Sequence, residues 1–329
     1  MSIMKQQFEN FCRAYGLGNI IDEPKKLTGG LMHRMYKVQT AQGTYCIKVL
    51  NPEVMARPTA LGNMTRSEQV SKAMKELVPL SAAKEYNGKV VLEQDGQYYM
   101  IFDFIEGASI YAPALSANHC EAMGKLLGII HKADICVSGI EAEGADAPIF
   151  DWEGYAQKAE GLDWADEYEK ALPKLIQWNK QAAEAAQILA QHQVISHRDL
   201  DPKNVMWHND QPTLIDWEAA GYINPYQELI ELCGYWAADG KGGIDREKFD
   251  AFTKAYRQYV NLEGVDWNPV FAGGMNGMLG WLEYNLKRAM KLIDCSDEDQ
   301  QLGIAQVKGT IQELYEYEEK CKLMKEWLV

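Results

Sequence analysis

The chain has 329 residues, 47% of them apolar, and 33 Lys and Arg against 47 Asp and Glu, a formal net charge of −14. That length allows two or three ordinary domains or one two-lobed enzyme, and the apolar share allows a sizeable core. The acidic surplus excludes nucleic acid as an expected partner, since no basic excess exists to displace phosphate counterions; it suits a cationic ligand, although acidity also serves solubility alone.

Residues 5–16 carry the pattern of an amphipathic helix. From Pro24 the character changes. KKLTGG reads as a short strand ending in two glycines, and RMYKVQT and TYCIKVLN as two strands joined through Ala41-Gln42-Gly43. Pro52, Pro58 and Gly62 punctuate a connection, after which TRSEQVSKAMKELV reads as a helix with Thr65 or Ser67 as its cap. KVVLEQ and QYYMIFDFIEG read as strands across Asp95-Gly96, a strong hairpin dipeptide. After Gly107 the pattern turns helical, beginning with NHCEAMGKLLGIIHKAD. Residues 141–170 hold ten acids and two Lys, and a long helix or helix pair follows, with Pro173 near the start of its second piece. Ser196 to Glu218 is the one clear β-rich stretch of this half, and helices resume from Tyr226. The expected boundary lies near Asp103 to Gly107.

The seven cysteines, at 12, 46, 120, 136, 233, 295 and 321, form no CxxC pair, so reduced thiols of a cytoplasmic protein are expected. No apolar run is long enough to span a bilayer, and MSIMKQQFENFCRAYG lacks the basic-then-apolar order of a leader. A monomer or homodimer with no membrane partner is expected.

The chemistry concentrates in SHRDLDPKNVMWHNDQPTLIDWE. Two short β runs, VMWH and PTLI, flank Asn209-Asp210 and make a hairpin with Asn204 entering it and Asp216 leaving it. One oxygen ligand from each therefore meets at a common point, which suits magnesium, a cation that takes few protein oxygens. Asp199 stands just before the pair, free to accept a proton from an attacking hydroxyl, so the trio has the geometry of phosphoryl transfer from a metal-bound nucleotide. Each of these residue types also marks turns.

His197-Arg198-Asp199-Leu200-Asp201-Pro202-Lys203-Asn204 resembles the catalytic loop of eukaryotic-like kinases, and Ile215-Asp216-Trp217-Glu218 resembles their metal-binding acid and its neighbours. The short IDWE form, with no long activation segment or Ala-Pro-Glu after it, is similar to the aminoglycoside phosphotransferase and choline kinase family. The resemblance covers roughly residues 25–290. It implies an α+β, two-lobed protein-kinase-like fold: an N-terminal antiparallel sheet lobe with one helix over residues 1–103, which binds nucleotide, and a larger, mainly helical lobe over 104–329, which holds the catalytic and acceptor sites. It also implies ATP or GTP with Mg2+ as cofactors, Asp199 as base or hydroxyl-orienting group, and Asn204 and Asp216 as metal ligands. Lys48 would contact the α and β phosphates, with Glu68 as its ion-pair partner and Glu76 as the rival. Gly29 and Gly30 would belong to the loop covering the phosphates, and Asp103, Phe104 and Ile105 to the hinge whose backbone holds the purine.

The sequence departs from that pattern in places. Asp201 stands where protein kinases have a lysine, with Lys203 as the substitute two residues on. Glu228 stands where the family often has an Asp. The acceptor is expected to be a small, cationic molecule, aminoglycoside-like or choline-like, because acids lie beside aromatic rings at Asp151-Trp152-Glu153 and Asp163-Trp164, and again around Trp281, Glu283 and Asn285, where Trp236 could join the wall with Tyr235. Homoserine and methylthioribose are the alternatives within the family. A protein kinase is favoured by His-Arg-Asp and disfavoured by the missing activation segment. A nucleotide-binding module without catalysis is disfavoured by the presence together of Lys48, Asp199, Asn204 and Asp216.

Overall fold

Alternation of apolar and polar residues in RMYKVQT and GTYCIKV makes β2 (Arg34–Thr40) and β3 (Gly43–Val49), which pair antiparallel from Arg34 opposite Val49 to Thr40 opposite Gly43. Only Ala41-Gln42 is left between them. The structure is a computed structural model describing residues 3–28, 32–142, 144–145 and 147–328. The two-residue β1 (Lys25–Lys26) pairs with β2, and β4 (Leu92–Gln94) with β5 (Gln97–Asp103), giving a five-stranded antiparallel sheet in the order β1-β2-β3-β5-β4. Asp95 and Gly96 both take positive φ, 52° and 76°, as a tight hairpin of this type requires.

The sheet's two faces are filled from different elements. Tyr45, Ile47 and Val49 of β3 pack with Phe8, Phe11 and Cys12 of α1 (Ile3–Ala14). Strand alternation sends Lys48 and its neighbour Leu50 to the opposite face, where Leu50 and Met100 meet Met64 of α3 (Ala60–Met74). The α3 helix begins earlier than its apolar spacing suggested. Thr65 and Ser67 are inside it, their hydroxyls donating back to Leu61 O at 2.8 Å and Met64 O at 3.0 Å. The preceding connection contains a turn of helix, α2 (Pro52–Met55), capped by Asn51, whose side chain accepts the Glu53 N–H.

The remainder is helical apart from two small β pairs. Its helices are α4 (Ala117–Ala133), α5 (Trp152–Ala159), α6 (Ala165–Leu189), α7 (Pro225–Trp236), α8 (Arg246–Tyr256), α9 (Trp267–Gly273), α10 (Asn276–Ala289) and α11 (Asp297–Leu328). Between α6 and α7 lie β6 (Val194–Ser196), the β7–β8 hairpin (Val205–His208, Gln211–Leu214) and β9 (Gly221–Ile223), which pairs with β6. The strand β9 was not anticipated; three residues are too few for periodicity to register. The α6 helix runs unbroken through Pro173, because Tyr168, Ala171, Leu175 and Trp178 bury one continuous face on both sides of the proline. Among the described residues no helix is long and apolar enough to cross a membrane.

Two cores support this half. One joins α4, α7 and α8 around Trp207, Trp217, Trp236 and Phe252; the other joins α5, α6, α10 and α11 around Trp152, Trp164 and Trp178. Thus the tryptophans of the acidic segment are core residues. Helices α4 and α8 meet backbone to backbone at Gly124, where an added Cβ would lie 2.1 Å from Phe252 O. Gly124→Ala should therefore lower the unfolding free energy by about 1–3 kcal/mol despite alanine's higher helix propensity. A urea titration checks this, and an unchanged or raised midpoint would contradict the packing account.

Candidate active site

Asn204 stands one residue before the β7–β8 hairpin and Asp216 two residues after it; its register runs from Val205 opposite Leu214 to His208 opposite Gln211. Ile215 N donates to Asn204 O at 2.9 Å, so the two positions are adjacent at the base of the hairpin. The loop residues Asn209 and Asp210 both take positive φ, which closes the turn in two residues. Asn204 Nδ2 donates to Asp199 Oδ2 at 2.9 Å and to Asp199 O at 2.6 Å, which brings Asp199 into the same cluster. Lys203 Nζ lies 2.8 Å from Asp199 Oδ1 and 2.7 Å from Asp201 Oδ2. Partial burial pulls the Lys203 ammonium's pKa down, but these two carboxylates outweigh that and raise it, so Lys203 stays charged.

The loop carrying Asp199 is pinned from three sides. Buried His197 donates Nε2–H to Ile215 O at 3.0 Å, and burial lowers its pKa, so the ring is neutral. Glu228 Oε1 accepts the Arg198 N–H at 2.8 Å, and Trp236 Nε1 donates to Leu200 O at 2.9 Å. Glu228 Oε2 in turn meets His131 Nε2 at 2.7 Å, and His131 Nδ1 meets the Tyr256 hydroxyl at 2.7 Å. Burial alone would raise the Glu228 carboxyl, but His131 and the Arg198 amide hold it below the usual range. Arg198 and Asp216 both adopt left-handed backbone, φ 66° and 61°, an uncommon conformation for non-glycine residues.

Lys48 reaches this cluster from the sheet. Its Nζ is 3.1 Å from Asp216 Oδ1 and also pairs with Glu218 Oε1. The expected Lys48–Glu68 pair is not formed. Buried Glu68 instead accepts from the Ser71 hydroxyl at 2.9 Å and the Ala83 N–H at 2.8 Å. Burial raises its pKa against those bonds and the Lys48 charge. Sequence reasoning placed His33 in the tract expected to cover the phosphates, Leu27 to Arg34, but gave it no role of its own. Its Nδ1 accepts the Asn51 N–H at 2.9 Å, so Nε2 carries the proton, and that buried N–H finds no hydrogen-bond acceptor, with Glu218 Oε2 3.7 Å away. Burial first, then Lys48, pushes His33 down to about 4. Gly29 and Gly30 lie outside the described residues. At the expected hinge, Asp103 is exposed and salt-bridged to Lys84 at 2.7 Å, and the Phe104 N–H is taken by Thr44 O at 3.0 Å.

No group of three or more His, Cys, Asp or Glu among the described residues is placed to hold a metal by itself. Two carboxylates, Asp216 and Glu218, however, share the single Lys48 charge. That negative excess, and the all-oxygen donor set of Asn204 and Asp216, fits a magnesium ion sharing its coordination with phosphate and water.

A family profile described as the phosphotransferase enzyme family matches residues 23–261, most of the chain. The chain belongs to that family. It is a small-molecule phosphotransferase on a kinase-like fold, with a hydroxyl group as acceptor. Among solved structures, spectinomycin phosphotransferase in complex with ADP and spectinomycin superposes with a TM-score of 0.65 at 12% identity, covering 95% of this chain and 98% of that one. The microcompartment-associated aminopropanol kinase gives 0.59 at 14%, covering 96% and 98%. Choline kinase from Cryptosporidium parvum Iowa II gives 0.54 at 15%, covering 98% and 99%. At these identities the likeness is one of fold. No curated protein matches by sequence.

The residues expected to face the acceptor are dispersed in this phosphotransferase. Asn285 and Trp236 are fully buried, so neither side chain lines an open pocket; Asn285 donates to Trp281 O at 2.8 Å and accepts from Arg288. Glu283 is taken by the Tyr155 hydroxyl at 2.5 Å and Lys287 at 2.6 Å. Trp281 is half-exposed and stacks on Tyr284 with centroids 5.6 Å apart. Helical spacing identified which residues share a face but not which face is covered.

Glu228 is the residue whose removal should be felt furthest. Glu228→Ala strands His131 and the Arg198 N–H and should cost about 3 kcal/mol or more of stability. Since its native pKa is depressed, the stability it supplies is present above the unfolded value of about 4.3 and lost as pH falls through the lower native value, so the variant's stability should be flatter in acid. Urea unfolding across that pH range, with amide exchange at Arg198 as the local readout, checks both; an unaltered midpoint and an Arg198 amide that stays protected would contradict the pinning role.

Proposed function

We propose that the protein transfers the γ-phosphoryl group of a magnesium-bound nucleoside triphosphate, ATP or GTP, to the hydroxyl of a small cationic molecule. The observation that carries this reading is the convergence of Lys48, from the sheet, on Asp216, while Asn204 ties Asp199 into the same cluster. The ADP and spectinomycin bound to the first of the similar structures support a nucleotide and a small acceptor. On this reading residues 1–103 form the nucleotide lobe and 104–329 the catalytic and acceptor lobe, inside the cytoplasm.

Each residue then has a task. Asp199 accepts the proton of the acceptor hydroxyl as its oxygen attacks the γ-phosphorus; the bond to the β-phosphate oxygen breaks and the nucleoside diphosphate leaves. Asn204 orients the Asp199 carboxylate through the 2.9 Å bond and, with Asp216, would hold magnesium. The ion would supply charge neutralisation for the phosphates. Lys48 exchanges its carboxylate partners for the α and β phosphates. Lys203, whose ammonium sits 2.8 Å from Asp199, takes the place of the lysine that Asp201 displaces in the kinase pattern, and its cation offsets charge on the transferring group. Glu68 steadies the helix under Lys48 through Ser71 and Ala83 rather than by pairing with it.

The test is nucleotide turnover with magnesium across aminoglycosides, choline, ethanolamine, 1-amino-2-propanol, homoserine and methylthioribose. One acceptor should stimulate turnover strongly. Asp199→Asn should then lower turnover on the order of a thousandfold while nucleotide affinity changes little. Unchanged turnover in that variant would remove Asp199 from its role.

A further inference from the structure

The residues first expected to recognise the acceptor's charge are buried or already paired, which leaves the question of which carboxylate meets it. Helix α7 answers by its position. It is fastened to the Asp199 loop at two points, Glu228 to the Arg198 N–H and Trp236 to Leu200 O, so its whole length runs beside the candidate base. At about 100° per residue, Gln227, Glu231 and Tyr235 form the stripe alongside the one that carries Glu228 and Trp236.

That stripe differs from its neighbour in being open. Glu228 and Trp236 are fully buried, whereas Gln227 and Glu231 are partly accessible and Tyr235 is 56% exposed. Tyr235 lies close enough to Asp199, Asp201 and Lys203 to feel their charges, and Glu231 feels Arg198 and Glu228. Gln227 Nε2 donates to Glu231 Oε1 at 2.8 Å, which holds the carboxylate in place. Among the described residues Glu231 makes no ion pair. The facing wall is formed by Tyr317 of α11, itself held to Phe271 O at 3.2 Å, and by Gly273 of α9, at whose position a Cβ would come within 3.6 Å of Gln227 Oε1.

We propose that Glu231 is the counter-ion for the acceptor's ammonium group, with the open ring of Tyr235 beside it as a cation–π surface and Gln227 as its orienting partner. This rests on the small cationic acceptor proposed above and adds the residues that recognise it. A partly buried carboxylate with no cation paired to it is costly, and burial, with the Glu228 charge, pushes the Glu231 carboxyl up to about 7 against the Gln227 hydrogen bond and the Arg198 charge. An ammonium entering the cleft offsets that cost, so the pair forms where desolvation is already partly met and discriminates more strongly than an exposed pair would. The same docking leaves the acceptor's hydroxyl end toward Asp199, because Tyr235, one turn on from Glu231, lies within reach of the Asp199, Asp201 and Lys203 charges.

The experiment compares amine acceptors with neutral counterparts: ethanolamine against ethylene glycol, 1-amino-2-propanol against propane-1,2-diol, with choline and spectinomycin as larger amines. Glu231→Gln keeps the shape and the Gln227 contact but loses the charge. It should raise KM for the stimulating amine about tenfold or more, with a smaller change in kcat, and leave AMP-PNP affinity and the thermal midpoint unchanged. Tyr235→Leu, at an exposed position, carries the same KM readout should Glu231→Gln unfold. Amine-stimulated turnover whose KM is untouched by either substitution overturns the Glu231 assignment while leaving the proposed function standing. Turnover in the parent protein that does not prefer amines over their neutral counterparts overturns the cationic acceptor, and Glu231 with it.

Discussion

The arrangement of the site depends on one buried carboxylate. Glu228 has no access to water, yet its pKa lies below the usual range, because each oxygen meets a donor: the Arg198 N–H on one side and His131 on the other. An unpaired carboxylate there would be intolerable, and a paired one is specific about position, since both hydrogen bonds are near 2.8 Å. His131 comes from α4, Tyr256 from α8 and Glu228 from α7, so three helices are locked to the backbone of the loop that presents Asp199. The Gly124 contact, which lets α4 lie directly on α8, is what allows the His131–Tyr256 step to be as short as it is.

That anchoring explains how two non-glycine residues persist in left-handed backbone. Such residues cost on the order of 1–3 kcal/mol and survive where the surroundings over-determine them. At Arg198 its N–H hydrogen bond to Glu228 and the His197–Ile215 bond fix the chain on one side and the Trp236–Leu200 bond on the other. At Asp216 the hairpin fixes one side and the turn of 3-10 helix at Trp217–Ala219 the other, with Trp217 packed against the His197 ring. Asp199 directly follows the first of these residues and Asp216 is the second, so the left-handed turns sit at the loop and the hairpin exit that present the two acids.

How much of this was legible in the sequence follows from the range of each interaction. The Asp199–Asn204–Asp216 cluster could be read because it is held by a local hairpin, where spacing translates directly into position. Lys48 could be read because strand alternation decides its face. The partner of Lys48 could not be read from position in α3: Glu68 is claimed by Ser71, one helical turn on, and by the Ala83 amide, which sequence spacing does not bring close. Thr65 and Ser67 resembled caps because their hydroxyls can serve a helix start or bond backward within one, and only the apolar contact of Met64 and Ala60 decides between these. Trp236 and Asn285 stood beside residues of the right chemistry, but burial set them apart, and burial depends on which helix covers which.

The same distinction between local and distant determinants bears on Lys48. Lys48 lies between Asp216 and Glu218, and its charge joins the sheet to the helical half. A triphosphate carries more negative charge than those carboxylates, and a divalent cation would compete with the ammonium for Asp216, so both drive the lysine the same way. On the proposed exchange of Lys48 to the phosphates, Glu218 would lose its cation, and the unpartnered His33 Nε2–H lies 3.7 Å from Glu218 Oε2. The Asn51 amide fixes that tautomer by occupying Nδ1. The histidine therefore needs no proton exchange to receive Glu218, only a shift of less than an ångström to reach hydrogen-bond distance. A donor that is orphaned in one arrangement and satisfied in the other lowers the cost of the exchange, and it does so from the bend immediately before β2.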